Sequence, residues 1–429
     1  MLRAFQEFFR LEAAGGILLL VCMATALGLA NSPWAESYSA FWHTTITIGV
    51  GKWIIAKDLA HWVNDGLMAV FFFVIGLEIK REVLVGELAS PRQAALPAAA
   101  ALGGMVVPAS IFLAFNLGGP TANGWGIPMA TDIAFALGVL ALLGDRVPLS
   151  LKVFLAALAI VDDLGAVLVI ALFYTAEVSW HMLAAAAAIF GAMVVLNLAG
   201  VRRPAFYGVL GALLWVAFLQ SGVHATIAGI LAALTIPATA RINTGVFRAK
   251  SREILDRLET VDVEPNIHPL TGEQQEAVYG LASLVEQVET PLQRLEHALH
   301  PWVIFFIMPV FALANAGVTI GSDLGDALVH PVAIGVILGL VVGKLVGVTG
   351  FAWLAITSGI ATLPRGMTWR QLIGAAALAG IGFTMSLFIA DQAFSTSYLL
   401  DYAKIGVLVA SLVAGVVGVV ILAGGKARS

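Results

Sequence analysis

The segment Ala157-Leu158-Ala159-Ile160-Val161-Asp162-Asp163-Leu164-Gly165-Ala166-Val167-Leu168 sets two adjacent carboxylates inside an otherwise apolar run. That run extends over residues 149–175, long enough as a helix to cross a hydrocarbon core of about 30 Å. An acid at the centre of such a helix opposes insertion by about 2.5–3.5 kcal/mol, so a pair demands water, a partner or a ligand. Adjacent residues project about 100° apart around a helix, so one carboxylate can face a watery cavity while its neighbour meets another helix. Like charges this close resist ionising together, which suits a site where a proton and a hard cation compete for the same oxygens. The bland alternative is a buried ion pair serving only stability, but acids at membrane depth are functional by default.

The rest of the chain fits a membrane helix at its centre. Of its 429 residues 60% are hydrophobic and 12% charged, against roughly 45–50% and 25% in soluble domains, and the mean hydropathy is +0.94. The lipid bilayer is therefore its first partner. A net charge of -4 with no long basic run argues against a nucleic-acid partner, and the single Cys22 excludes an intrachain disulfide. Apolar runs bounded by Gly, Pro or charge predict an all-α polytopic membrane protein of about 12 transmembrane helices, near 12–31, 58–84, 94–116, 121–143, 149–175, 181–199, 204–219, 222–237, 292–317, 330–357, 370–391 and 403–423. The first is read as a retained helix rather than a cleaved signal, since Glu7 and Glu12 fit a signal n-region poorly. With both termini cytoplasmic, alternate loops place 19 of the 23 Lys and Arg residues inside, as positive-inside topology requires. One integral transport domain results: spans one to eight over 1–237, a cytoplasmic connector at 238–291, and spans nine to twelve over 292–429.

Two segments outside the spans have character. Residues 44–55, Thr-Thr-Ile-Thr-Ile then Gly49-Val50-Gly51-Lys52 then Trp-Ile-Ile, predict a small outer-face β-hairpin, a surface on which two copies could pair. The connector is polar, with a capping box at Thr271 to Gln274 ahead of an amphipathic helix whose stripe is Val278, Leu281, Leu284, Val285 and Val288. It carries no catalytic motif.

Three further features gather around the acid pair. Gly124-Trp125-Gly126-Ile127-Pro128-Met129-Ala130-Thr131-Asp132 interrupts a span near its middle, and a broken helix at membrane depth is tolerated only where it lines a cavity or is buried in protein. Thr131 and Asp132 would add the oxygen ligands that hard cations prefer; the alternative is a simple proline kink. Leu378-Ala379-Gly380-Ile381-Gly382-Phe383-Thr384-Met385-Ser386 interrupts a second span, and breaks at corresponding places in two halves point to a transporter site. Spans three to five would then correspond, inverted, to spans ten to twelve. Lys344 is the one cation deep in a span, flanked by Gly339, Gly343 and Gly347, too far from either end to snorkel. Pairing with Asp162 or Asp163 satisfies it, and makes it a second protonatable group.

Together these residues resemble the NhaA family of bacterial sodium/proton antiporters, itself a standard example of inverted repeats with broken helices. The shared stretches run in order along the chain: Phe-Phe-Phe-Val-Ile-Gly-Leu-Glu-Ile-Lys-Arg-Glu at 71–82, Ala-Thr-Asp-Ile-Ala-Phe-Ala-Leu-Gly at 130–138, Val-Asp-Asp-Leu-Gly-Ala at 161–166, Gly-Val-His-Ala-Thr at 222–226, Arg-Leu-Glu-His-Ala-Leu-His-Pro-Trp at 294–302, Phe-Ala-Leu-Ala-Asn-Ala-Gly at 311–317 and Gly-Ile-Gly-Phe-Thr-Met-Ser at 380–386. The resemblance implies electrogenic, pH-regulated exchange of Na+ or Li+ for H+ across a bacterial inner membrane, with no cofactor, in a homodimer. It assigns cation binding to Asp163, a salt bridge that breaks on ion loading to Asp162 and Lys344, and compensation of the opposed helix ends to Asp132 with Thr131. It places Glu78, Arg81, Glu82, Glu296, His297 and His300 in a cytoplasmic pH-sensing cluster, as befits histidines among carboxylates, and ties His224 to the pH response. The connector at 238–291 departs from the family pattern, being longer than in the best-known members.

Three other functions meet the same composition less well. An intramembrane aspartyl protease, the one enzyme considered, would carry Gly-x-Gly-Asp on a separate helix, a motif missing here. A passive cation channel has no need of a neutralisable Lys344, and an organic-anion symporter would place an Arg at mid-membrane.

Overall fold

The computed structural model describes residues 2–50, 53–175, 178–259, 271–320, 324–394 and 396–424. Long runs of Leu, Val and Ala can satisfy their backbone polar groups in lipid only within their own helix, and the chain folds accordingly into a helical bundle. Among the described residues seven helices are long and apolar enough to cross a membrane: Leu11–Ala30, Pro91–Asn116, Leu149–Phe173, Trp180–Leu198, Pro291–Asn315, Pro331–Thr357 and Tyr398–Ala423. Two bent pairs do so jointly, Pro120–Met129 with Ile133–Leu142 at 40° and Trp369–Leu378 with Phe383–Ala393 at 44°. The other three expected spans are helical but do not meet the same measure. Residues 59–85 carry Glu78, Lys80, Arg81 and Glu82 near one end, while Pro204–Leu219 and Ile227–Thr235 are short.

Helices Pro91–Asn116 and Pro331–Thr357 run along each other, and small residues explain how closely. A Cβ on Gly343 would stand 2.8 Å from Pro108 Cα, and Gly103 meets Gly347 backbone to backbone. The first two members of each expected three-span unit therefore meet their counterparts, because the bent pairs also touch at their breaks, where Asp132 N donates to Ile381 O at 2.7 Å. Helix Leu2–Ala30 is part of the bundle and not an appendage, since Gly16 lies against Gly138 of Ile133–Leu142.

Among the described residues three helices contain a widened turn closed by i to i+5 bonds: Trp62–Leu67, Val303–Ile307 and Gly339–Gly343. Such turns shift the register of everything beyond them and recur at functional sites. Here they hold Asn64 and Asp65, follow His300, and precede Lys344.

The hairpin and the connector lie at opposite ends of helix 59–85. Strands β1, Thr45–Val50, and β2, Trp53–Asp58, pair antiparallel from Thr45 opposite Asp58 to Val50 opposite Trp53. The pairing reaches three residues past the expected Ile55 because Asp58 ends the strand and caps the next turn, accepting from His61 N at 2.9 Å. Residues 51 and 52 of the expected turn lie outside the described residues. Partial burial pushes the Asp58 carboxyl up, but hydrogen bonds from His61 and His43 outweigh it and hold the group below the usual carboxylate range.

In the connector the capping box forms at Thr271 and Gln274, opening helix Gly272–Val288. That helix packs against a second one that the sequence reading missed, Thr244–Glu259. The expected stripe is only partly inward: Leu284 is buried, whereas Val278 and Val285 are exposed. Gly280 faces Ile254, which turns the contact face about one residue away from the expected one. The part of the connector at 260–270 lies outside the described residues.

Candidate functional site

At the two breaks the chain leaves helical geometry for a few residues, and four half-helix ends meet. Asp132 caps Ile133–Leu142, accepting from Phe135 N at 2.9 Å, and the same carboxylate accepts from Thr384 N at 3.1 Å and from the Thr384 hydroxyl. One acid thus serves the N-termini of Ile133–Leu142 and Phe383–Ala393, where the helix dipoles present partial positive charge. At the C-terminal end of Trp369–Leu378 the polarity reverses. There Thr131 Oγ1 donates to Ala379 O at 2.8 Å while accepting from Lys344 Nζ at 3.0 Å, so an ammonium stands near the negative dipole end.

Lys344 also donates to Asp162 Oδ2 at 2.6 Å, and neither side chain has any exposure. Of the two partners left open by the residues alone, Asp162 has the contact. The reason is local: on helix Leu149–Phe173, Asp162 projects toward Pro331–Thr357 and Asp163, about 100° further round, projects into a cavity. Both carboxylate oxygens of Asp163 are buried without a hydrogen-bond partner among the described residues. A bare carboxylate in that position is costly, so Asp163 calls for a proton or a cation.

The cavity encloses about 450 Å³ including its mouth, and Asp163 and Asp132 share it with Met385 and Met308. Glu12, Glu78 and His300 line it too, on the side where the connector lies. His300 sits between two carboxylates, Nε2 at 3.3 Å from Glu12 Oε1 and Nδ1 at 3.3 Å from Glu78 Oε1. The ring thus stands within ion-pair distance of an acid on either side. Beside it Arg81 Nε meets Glu296 Oε1 at 2.9 Å, and Arg81 also reaches Glu82 at 3.0 Å.

Most of the expected residues therefore converge, with three exceptions. Thr131 is spent on Ala379 and Lys344 and does not line the cavity. His297 faces away, 78% exposed, against Glu289 at the end of the connector. His224 lies on the hairpin side, paired with Gln392 and edge-on to Phe388. Sequence reading missed Glu12, noted only as ill-suited to a signal, and Thr384, quoted only within its motif. Glu12 carried a usable signal in the adjacent Gly15 and Gly16, which let the first helix pack deep in the bundle.

Comparison with known proteins gives the family. The family model described as Na+/H+ antiporter 1 matches residues 6–422. The Na(+)/H(+) antiporter NhaA of Oleidesulfovibrio alaskensis is 53% identical over 422 residues, covering 98% of this chain and 94% of its own length. That of Koribacter versatilis is 52% identical, covering 98% and 91%, and the Na(+)/H(+) antiporter NhaA 1 of Saccharophagus degradans is 51% identical, covering 97% and 90%. Similarity at that level over nearly the whole of each chain has one meaning: this protein, a multi-pass membrane protein, belongs to the Na+/H+ antiporter 1 family.

Proposed function

We propose that this chain is a sodium/proton antiporter that expels Na+, and Li+, in exchange for H+ by alternating access. The observation that carries the reading is Asp163, whose two buried, unpartnered oxygens share a cavity with Asp132, one residue from an ion-paired Asp162. A hydrated cation entering from the connector side meets two carboxylates and displaces protons from them. Na+ is a hard cation and favours these oxygens, while the half-helix ends around it are already compensated by fixed charge. Loading the cavity with a cation also sets a positive charge near Lys344, which weakens its hold on Asp162 and frees that pair to take part in proton exchange.

The hairpin face is external, and the connector and both termini are cytoplasmic; the distribution of Lys and Arg supports that orientation. The membrane is the cytoplasmic membrane of a bacterium. More protons enter than sodium ions leave, so the membrane potential drives export at about 2.3 kcal/mol per net charge per 100 mV. Glu78, Glu12 and His300, with Arg81, Glu82 and Glu296 beside them, set the electrostatics of the cytoplasmic entrance and make transport respond to internal pH. The exposed apolar residues Ile46, Ile48 and Ile54 of the hairpin support pairing of two copies there. Residues 1–237 and 292–429 act as one transport domain.

The test is to add sodium, lithium or potassium outside acid-loaded proteoliposomes and follow the lumenal pH. Na+ and Li+ should raise it and K+ should not. An Asp163→Asn variant of unchanged fold should be silent; full activity in that variant would remove Asp163 from its role, and sodium entry without proton movement would make the protein a channel.

A further inference from the structure

Three helices repeat one vertical order between the acid cavity and the hairpin face. Nearest the cavity stand Ile75, Met308 and Met385, which line it. A turn or so toward the hairpin come Phe72, Phe311 and Phe388, each no more than 1% exposed. Their ring centroids lie 5.5 Å apart for Phe72 and Phe388 and 6.2 Å for Phe311 and Phe388, which makes Phe388 the hub. Beyond the rings the same helices carry Asn64, Asn315 and Asp391. Asn64 Nδ2 donates to Asp391 Oδ2 at 3.1 Å and to Asn315 Oδ1 at 3.2 Å, and Asn315 Nδ2 returns a bond to Asn64 Oδ1 at 2.8 Å. Gln392 Nε2 reaches Asp391 Oδ2 at 3.4 Å, and Lys404 stands within electrostatic reach of the same carboxylate. A small pocket lined by Asp65, Lys57, His61 and Trp215 adjoins this layer on the hairpin side.

Polar side chains between membrane helices often serve only as glue. Two asparagines suffice for that, and an asparagine at position 391 would bond Asn64 equally well. Bonding to Asn64 does not require the charge on Asp391, which at rest is countered by buried Lys404 as Asp162 is by Lys344, and a carboxylate flanked by carboxamide oxygens is the ligand type of a hard cation. We propose that Asp391, with the side-chain oxygens of Asn64 and Asn315, is the hairpin-face station for the transported alkali cation, separated from Asp163 by a gate one aromatic layer thick whose moving part is Phe388. The gate is coupled to the central site through its own helix. Thr384, which binds Asp132, lies one turn from Phe388 on Phe383–Ala393, so a shift of that half-helix moves both.

This inference rests on the antiport reading and is tested separately from it by sidedness. In right-side-out and inverted membrane vesicles, Asp391→Asn is expected to raise the KM for Na+ on the hairpin face at least about fivefold, the factor one charge about 4 Å from a cation supplies even in bulk water. The KM on the connector face should stay unchanged, and Asp391→Glu should restore the hairpin-face value. Phe388→Ala should let sodium cross without proton exchange. Equal effects of Asp391→Asn on both faces, or none on the hairpin face, would overturn the assignment. Failure of the unmodified chain to exchange sodium for protons at all would instead remove the antiport reading beneath it.

Discussion

Replacing Lys344 by Met keeps most of the side chain's volume and removes its charge, so the cost isolates the ion pair. In the native protein Nζ stands 2.6 Å from Asp162 and both residues are fully buried. Removing one member of such a pair leaves the other as an uncompensated buried charge, at a cost of about 3–5 kcal/mol. Asp162→Asn strands the ammonium instead, with a loss of similar size. The double variant strands nothing: Thr131 keeps its bond to Ala379 O, and a neutral Met beside a neutral Asn should fold within about 2 kcal/mol of the native protein. The coupling energy of the cycle is therefore expected to exceed about 3 kcal/mol. Denaturant titration in mixed micelles, followed by helical circular dichroism, measures it, and the same preparations give the proton-to-sodium ratio. Additive losses, with the double variant the least stable of the three, would refute the view that the two charges exist in the fold to satisfy each other.

Gly343→Val drives a Cβ to 2.8 Å from Pro108 Cα, an unyielding backbone atom; a loss of about 1–3 kcal/mol is expected in the same titration, whereas Gly350→Val, which faces open space, should be well tolerated. Asp132→Ala removes the acceptor shared by Phe135 N and Thr384 N, and hydrogen exchange should speed up at both amides together, with about 1 kcal/mol lost per uncapped end. The root of the hairpin should depend on pH in one direction only. Asp58 titrates below its unfolded value, so its stabilising contribution is full above the ordinary carboxylate range and is lost as pH falls through the lowered folded value. Exchange at His61 N should rise only in acid, and Asp58→Asn should abolish that pH dependence.

Much of this was readable because the membrane leaves few options. In water an Asp-Asp dipeptide means little; at the middle of the mostly apolar span at 149–175 it must be hidden, paired or used, and the structure hides Asp163 and pairs Asp162. The breaks at Pro128 and Gly380 were legible for the same reason, since irregular backbone at membrane depth needs partners. What stayed hidden depends on helix phase. Glu12 and His300 are nearly 290 residues apart, and no local pattern says that their faces meet. Asn64, Asn315 and Asp391 look like ordinary polar residues near span ends until a widened turn in each of two of their helices brings them level. The span count was harder still, because Pro204–Leu219 and Ile227–Thr235 are too short to be judged alone. The Thr244–Glu259 helix escaped because its apolar positions are diluted by charge and become half-buried only against its neighbour.

In the function proposed above, the adjacency of Asp162 and Asp163 is also what would let exchange be coupled. Were they a full turn apart they would face the same way and compete for the same ligand; one residue apart, they point into different surroundings while remaining close enough to repel. Asp162 is tied to a cation the protein owns, and Asp163 faces the cavity it shares with Asp132. A sodium ion bound at Asp163 would compete electrostatically with Lys344 without displacing it, and any weakening of the Lys344 pair would be felt by Thr131, whose hydroxyl spans Lys344 and the end of the other broken helix. Occupancy on one helix face thus changes the balance of charge at the crossing, where Asp132 and Thr384 join the two mobile halves. On that proposal coupling would follow from the shared crossing: the half-helices would be poised only when its positive and negative ends are matched, and either a proton or a sodium ion would alter the match.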